Sequence, residues 1–220
     1  DVDPSRMDEE WEADPDRVVE YCSLDAALAL RVLERIRVLD KHLDLAAVAR
    51  LPLDDSINGR TSTLIDSIMI RRADRQGVGV PMTRREAKTG KIEGGYVHEV
   101  EPGLHHWVCV LDFRSMYPSV IINHNICFTT LDPEGEIVSP LGIRFLSPEK
   151  KKGILPQILT ELMEDRSRLK SAMKQARAAG DDEAYAYNDG LQEAVKILMN
   201  SFYGVFASYF YRFTNRDIGA

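Results

Sequence analysis

Residues 108–126 read VCVLDFRSMYPSVIINHNI. The run 108–111, Val-Cys-Val-Leu, is short and β-branched, which suits a strand buried on both faces. It stops at Asp112, a carboxylate at the strand's carboxyl end, able to leave the core and hold a cation. Phe113-Arg114-Ser115-Met116-Tyr117-Pro118 follows as a tight turn. Pro118 fits the first position of a helix predicted over 119–125, with Ser115 or Tyr117 near its cap. Strand, carboxylate, turn and helix amino end together put free N–H groups beside a metal-binding oxygen, and such groups bind phosphate readily. The chemistry predicted for this turn is a metal ion with a polyphosphate. A lone Asp at a strand end is more often a solvated terminus, so the rest of the chain has to weigh the choice.

Two helices are predicted downstream, running out and back. The first, about 155–178, carries the apolar stripe Ile158, Leu162, Leu169 and Met173, with Arg166 and Lys170 four apart along its edge. Gly180 stops it, and Asp181 or Asp182 caps the second helix. That helix, about 183–203, has Tyr187, Leu191, Val195, Leu198 and Phe202 on one side. Lys196, Asn200 and Tyr203 share the other side at i, i+4 and i+7. An amine, an amide and a phenol thus line one exposed face, and Gly204 beside the Tyr203 ring makes a flat surface for stacking. Gly180-Asp181-Asp182 also spells a metal motif of RNA-dependent polymerases, but that motif needs a hairpin of apolar strands, and the flanks here are Ala-rich helix formers.

Two strings carry a resemblance. DFRSMYPSVI, from Asp112, is similar to the first palm motif of family B DNA polymerases, D-x-x-S-L-Y-P-S-I, with Met116 in place of Leu. KILMNSFYG, Lys196 to Gly204, resembles the fingers motif K-x-x-x-N-S-x-Y-G, and the two occur in the family's order. The resemblance is to the archaeal and eukaryotic type and covers most of 17–220. It implies an α+β architecture: the helical end of a 3′–5′ exonuclease domain (1–45), a helical connector and entry to the palm (46–105), part of an antiparallel palm sheet (106–148), an antiparallel two-helix fingers hairpin (149–204), and a return to the palm (205–220). It implies template-directed nucleotidyl transfer assisted by two Mg²⁺ ions. Asp112 and the Phe113 backbone would hold metal, and the backbone of Phe113, Arg114, Ser115, Met116 and Tyr117 would contact the triphosphate. Tyr117 would lie under the sugar and exclude a ribose 2′-hydroxyl. Arg166, Lys170, Lys196 and Asn200 would bind phosphates, and Tyr203 with Gly204 would pack on the nascent base pair.

The family's second metal carboxylate lies in a later D-T-D hairpin, followed by the thumb, and neither string occurs here. One carboxylate cannot clamp two cations. The chain is therefore expected to be a piece of a longer protein or the large part of a split polymerase, as some archaea have, inactive alone and partnered by a segment bearing that hairpin. Primer-template DNA and dNTP are the expected substrates, with a sliding clamp as a further partner. The expected location is the nucleoid of a prokaryote or the nucleus of a eukaryote. The competing reading, from another class, is a non-catalytic nucleic-acid-binding subunit or inactivated paralogue.

Composition fits either reading. The net charge of −7 is concentrated in residues 1–20, which hold nine acids against two bases. Residues 150–177 hold eight bases against three acids, the segment where a polyanion would bind. Cys22, Cys109 and Cys127 are few and scattered, which suggests reduced core thiols and neither a disulfide framework nor a zinc site. No apolar run approaches a membrane span.

Upstream, about 17–42 is predicted as one amphipathic helix with Val18, Leu24, Leu28, Val32, Leu33 and Ile36 at helical spacing. Tyr21 and Asp25 share one of its faces, and Y-x-x-x-D resembles the family's third exonuclease motif, a remnant whose first two motifs are absent. Asp54-Asp55-Ser56-Ile57-Asn58-Gly59 reads as a turn or cap cluster. Residues 63–75 read as an amphipathic helix, with Arg71 and Arg72 facing solvent or a phosphate, the solvated face being the favoured reading. Gly94-Gly95 matches part of a family loop, Y-x-G-G, that touches template, with Ile92 where its Tyr would be.

Overall fold

The computed structural model describes residues 2–82, 97–206, 208, 211–215 and 218. The Lys91-Ile92-Glu93-Gly94-Gly95 loop lies outside them. The chain forms two compact units, Asp1–Leu43 and Asp44–Ala220.

The first unit holds a 3₁₀ turn, Pro4–Arg6, then α1 (Met7–Ala13) and α2 (Pro15–Arg35). Asp14 caps α2 by accepting the Arg17 N–H at 3.1 Å, and Pro15 supplies a first residue with no N–H to satisfy. The single helix predicted to reach 42 is interrupted. Arg37 turns left-handed (φ 53°), and α3 (Val38–Ala49) starts afresh. The predicted apolar stripe does not form a core: Val18 is buried, while Leu24, Leu28, Val32, Leu33 and Ile36 are exposed. An amphipathic face is buried only where another element covers it, and within this unit the only described partner of α2 is α1.

The second unit is a helical assembly built around α7 (Ile154–Ala179) and α8 (Asp182–Phe206), with α4 (Leu53–Asn58), α5 (Thr61–Arg75) and α6 (Met116–Asn123). Gly180 ends α7 in the left-handed conformation (φ 72°), and the Asp181 N–H reaches back to the Ala176 carbonyl at 3.0 Å. Asp181 then caps α8 by accepting the Ala184 N–H at 2.9 Å. Gly180-Asp181-Asp182 is thus a helix turn, as expected. α8 folds back along α7, and α5 and α6 pack on the pair. Ile154, Leu155, Ile158 and Leu159 from α7, Leu198, Phe202 and Phe206 from α8, and Ile65 and Met69 from α5 are all essentially inaccessible. Each such side chain contributes about 1.5–3 kcal/mol by leaving water. Tyr187, predicted on the apolar side of α8, is instead exposed, near the hairpin's tip where the core has ended.

Polar crosslinks join α5 to α7. Arg72 grips the Glu161 carboxylate with both guanidinium nitrogens, the longer contact being 2.8 Å, and Gln76 Nε2 donates to Gln157 Oε1 at 2.8 Å. Arg71 donates to the Arg50 carbonyl at 2.9 Å. The solvent-facing role expected for these two arginines holds for Arg71, which is exposed while bonding to Arg50, and is corrected for Arg72, which is half-buried against Glu161. The Asp54 to Gly59 cluster is likewise a short helix, α4, and only its end is a turn.

The β content is smaller than predicted. β1 (Ile137–Val138) and β2 (Arg144–Phe145) pair antiparallel, Ile137 opposite Phe145, joined by a turn in which the Gly142 N–H bonds the Ser139 carbonyl at 2.9 Å. Lys150 and the Ser147 N–H hold the Glu136 carboxyl down at about 2. The strand predicted over 108–111 is absent: the segment is irregular, and Val110 and Leu111 are 86% and 90% exposed. A strand needs neighbours to take its ladder hydrogen bonds and cover its faces, and no described strand lies beside it. Of the three thiols predicted to be core, only Cys127 is buried. No described helix is long and apolar enough to cross a membrane.

Candidate functional site

The site residues hang on three helices of the second unit. α6 begins at Met116, three residues earlier than predicted. Ser115 enters it in the left-handed conformation (φ 50°) without a side-chain cap, and Pro118 falls within the first turn, where its missing N–H costs nothing. The turn is closed by Ser119, whose N–H bonds the Ser115 carbonyl at 2.9 Å and whose hydroxyl donates to the Arg114 carbonyl at 3.3 Å.

At its other end α6 is fixed by Asn125. This residue is fully buried and left-handed (φ 50°), and the Ile126 N–H closes back to the Ile121 carbonyl at 3.0 Å. Its side-chain nitrogen donates to the carbonyls of Leu146 (2.7 Å) and Lys151 (2.9 Å), and its oxygen accepts the Gly153 N–H (2.8 Å). One amide thereby joins the end of α6 to the loop that starts α7. Gly153 is needed because a Cβ there would stand 2.7 Å from the Cys127 Cβ. Asn125 and Gly153 were not singled out in the sequence, although Asn directly after an apolar helix is a known left-handed cap signal.

With α6 and α7 joined, α8 brings the second motif to the first. The Tyr117 and Tyr203 rings stack with centroids 4.3 Å apart and planes 11° from parallel. Lys196 and Asn200 are exposed on α8, preceding Tyr203 at the predicted helical spacing, and Gly204 is open enough that an added Cβ would meet nothing within 4 Å. Lys196 sits loosely beside Glu193, 3.7 Å away. On α7, Lys170 is exposed and Arg166 half-buried, with its Nε enclosed and unpartnered among the described residues.

Asp112 and Phe113 are exposed, and Asp112 has no hydrogen-bond or ion-pair partner among the described residues. Met116 is exposed beside Tyr117. The predicted triphosphate backbone, Phe113 to Tyr117, is therefore half turn and half helix start, and Arg114 joins it through its carbonyl alone. No group of three or more metal-ligating side chains forms among the described residues. In the first unit, Tyr21 and Asp25 do meet on α2: the Asp25 carboxylate, by hydrogen bonding and then by charge, holds the Tyr21 phenol above its ordinary value.

A profile described as DNA polymerase family B matches residues 51–218. The DNA polymerase delta catalytic subunit of Mesocricetus auratus is 32% identical over 214 residues, covering 92% of this chain and 18% of that protein. That of Dictyostelium discoideum is 33% identical over 198 residues, covering 86% of this chain and 18% of its own length. The solved structure of the family B DNA polymerase from the hyperthermophilic archaeon Pyrobaculum calidifontis superposes with a TM-score of 0.79 at 28% identity, over 99% of this chain and 29% of that one. This chain thus spans about a fifth of those two relatives' length. With a family profile over most of its length and relatives more than 30% identical along it, the chain belongs to DNA polymerase family B.

Proposed function

We propose that residues 106–148 are the first part of a palm, that α7 and α8 are its fingers, and that this segment serves DNA-directed DNA synthesis. The observation that carries the reading is the stack of Tyr117 on Tyr203, which joins two motifs far apart in sequence. The Arg166 Nε, unpartnered among the described residues, supports it: a buried donor left without an acceptor is costly, and a nucleotide phosphate would satisfy it.

In this reading Lys196, Asn200, Arg166 and Lys170 grip the triphosphate of an incoming dNTP. Tyr117 lies under the deoxyribose, and Tyr203 with Gly204 bears on the new base pair. Asp112 suits Mg²⁺, being a hard, exposed oxygen donor, and the Phe113 carbonyl would be its neighbouring ligand. Two Mg²⁺ ions, when bound, would polarise the α-phosphate and make the primer 3′-hydroxyl a better nucleophile. One carboxylate holds only part of such a pair, so the chemistry calls for a second, from a D-T-D hairpin on a C-terminal segment or subunit. Primer-template DNA would be the other substrate, and a sliding clamp a further partner.

The test is primer extension by the assembly that includes this hairpin, with and without Asp112→Ala. Loss of incorporation with DNA binding kept is expected. Unchanged incorporation would remove Asp112 from the chemistry, and an assembly that binds DNA but never extends it would leave a binding platform as the function.

A further inference from the structure

We propose that Tyr203 is a positioning residue for Tyr117, so that the sugar of an incoming nucleotide is checked by a two-ring unit and not by one ring. The inference rests on the reading of Tyr117 as the ring beneath the sugar.

The two rings differ in how they are held. Tyr117 stands one residue into α6, an eight-residue helix whose entry has no side-chain cap, and the residue is 43% exposed. The described ring against it is that of Tyr203. Tyr203 stands on a 25-residue helix whose neighbouring turns are sunk in the core through Leu198, Met199, Phe202, Val205 and Phe206. A side chain excludes a hydroxyl by clash only if it cannot swing away. Backbone restraint on Tyr117 is slight at the start of a short helix, so resistance to swinging has to come from the face of Tyr203. A near-parallel aromatic pair at this separation shifts an equilibrium by roughly 2- to 10-fold, and sugar discrimination should depend on Tyr203 by about that factor. A mispair that displaces Tyr203 would also loosen Tyr117, so base and sugar errors would rise together.

The experiment measures the ratio of kcat/KM for a dNTP to that for the matching rNTP in the extension-competent assembly. Tyr203→Ala should lower the ratio about 2- to 10-fold, and Tyr203→Phe, which keeps the ring, should restore it. If Tyr203 acts through Tyr117, the double variant with Tyr117→Ala should show the same ratio as Tyr117→Ala alone. In the 220-residue chain, Tyr203→Ala should also move the Tyr117 ring NMR resonances through loss of the ring-current shift, while Tyr203→Phe leaves them near their original positions. An unchanged ratio in Tyr203→Ala, with Tyr117→Ala lowering it sharply, would overturn the coupling and spare the sugar reading of Tyr117. An unchanged ratio in Tyr117→Ala would overturn both.

Discussion

Residues 108–111 and the apolar face of α8 formed by Leu198, Met199, Phe202, Val205 and Phe206 both lie beside a proposed substrate contact, yet one is bare and the other is core. Val110 and Leu111 are almost fully exposed, whereas Leu198 and Phe202 are inaccessible. The difference is in where the backbone hydrogen bonds go. A helix satisfies its own N–H and C=O groups and needs only side chains for cover, which α5 and α7 supply. A strand must borrow both hydrogen bonds and cover, and none is offered to 108–111 by any described strand. Apolar content alone therefore did not decide burial; the supply of partners did.

The largest expected effect tests that contrast. In the 220-residue chain, Phe202→Ala should cost about 3–5 kcal/mol by opening a cavity in the core. Leu111→Ala should fall within about 0.5 kcal/mol of the unaltered chain, because its side chain is already in water. Urea midpoints measure both. If an added palm segment supplies partner strands, Leu111→Ala should become destabilising in the complex while the Phe202→Ala cost stays. A Leu111→Ala cost of several kcal/mol in the lone chain would mean that 108–111 is buried.

Next in size is Asn125→Ala, which leaves the Leu146 and Lys151 carbonyls and the Gly153 N–H without their partner. The expected cost is about 2–4 kcal/mol, and hydrogen exchange at the start of α7 should quicken. Asn125→Asp is the sharper variant: it keeps the acceptor for Gly153 but loses both donations to carbonyls, so it should be destabilised as well.

A smaller effect concerns the Arg72 and Glu161 pair. The Arg72 guanidinium holds the Glu161 carboxyl below its ordinary 4.5. A carboxyl with a lowered folded value stabilises the fold above the unfolded value and loses that contribution as pH falls through the folded one. The Glu161 side chain is 54% exposed, so solvent screening limits the pair to about 1 kcal/mol or less. Stability of the unaltered chain and of Glu161→Gln should differ at pH 7 and converge below about pH 4.5. A gap that does not narrow as pH falls below 4.5 would show the difference to be one of packing and not of charge.

The two long helices were legible to within three residues at each end because their punctuation is chemical: Gly180 needs no Cβ to turn left-handed, and Asp181 caps α8. The Lys196, Asn200, Tyr203 face was legible for the same reason, since helical spacing converts directly into a shared side. The meeting of Tyr203 with Tyr117 was not, because spacing says nothing about which helix lies opposite. Nor was the work of Asn125, whose three partners are backbone groups 21 to 28 positions away. Motif strings supplied the common destination for Tyr117 and Tyr203, and geometry supplied the contact. The missing strand and the bare stripe of α2 failed for one reason, an apolar pattern read as burial without asking what would cover it.

A substitution expected to cost no stability has the most to say about the site. Gly204 lies within α8, exposed, and a Cβ there would meet nothing within 4 Å. Replacing a helical Gly by Ala relieves backbone entropy, so Gly204→Ala should be as stable as the unaltered chain or more stable by about 0.5–1 kcal/mol. Nothing among the described residues demands glycine at this position. If the open space beside Tyr203 receives the new base pair, the methyl group would intrude only when nucleotide and template are bound. Gly204→Ala should then lower kcat/KM for dNTP incorporation roughly 10- to 100-fold, the scale of a displacement near 1 Å in a reacting complex, while melting no earlier. Full activity in a stable Gly204→Ala would mean that the base pair lies elsewhere, and would leave the Tyr117 and Tyr203 stack as a contact within the protein and nothing more.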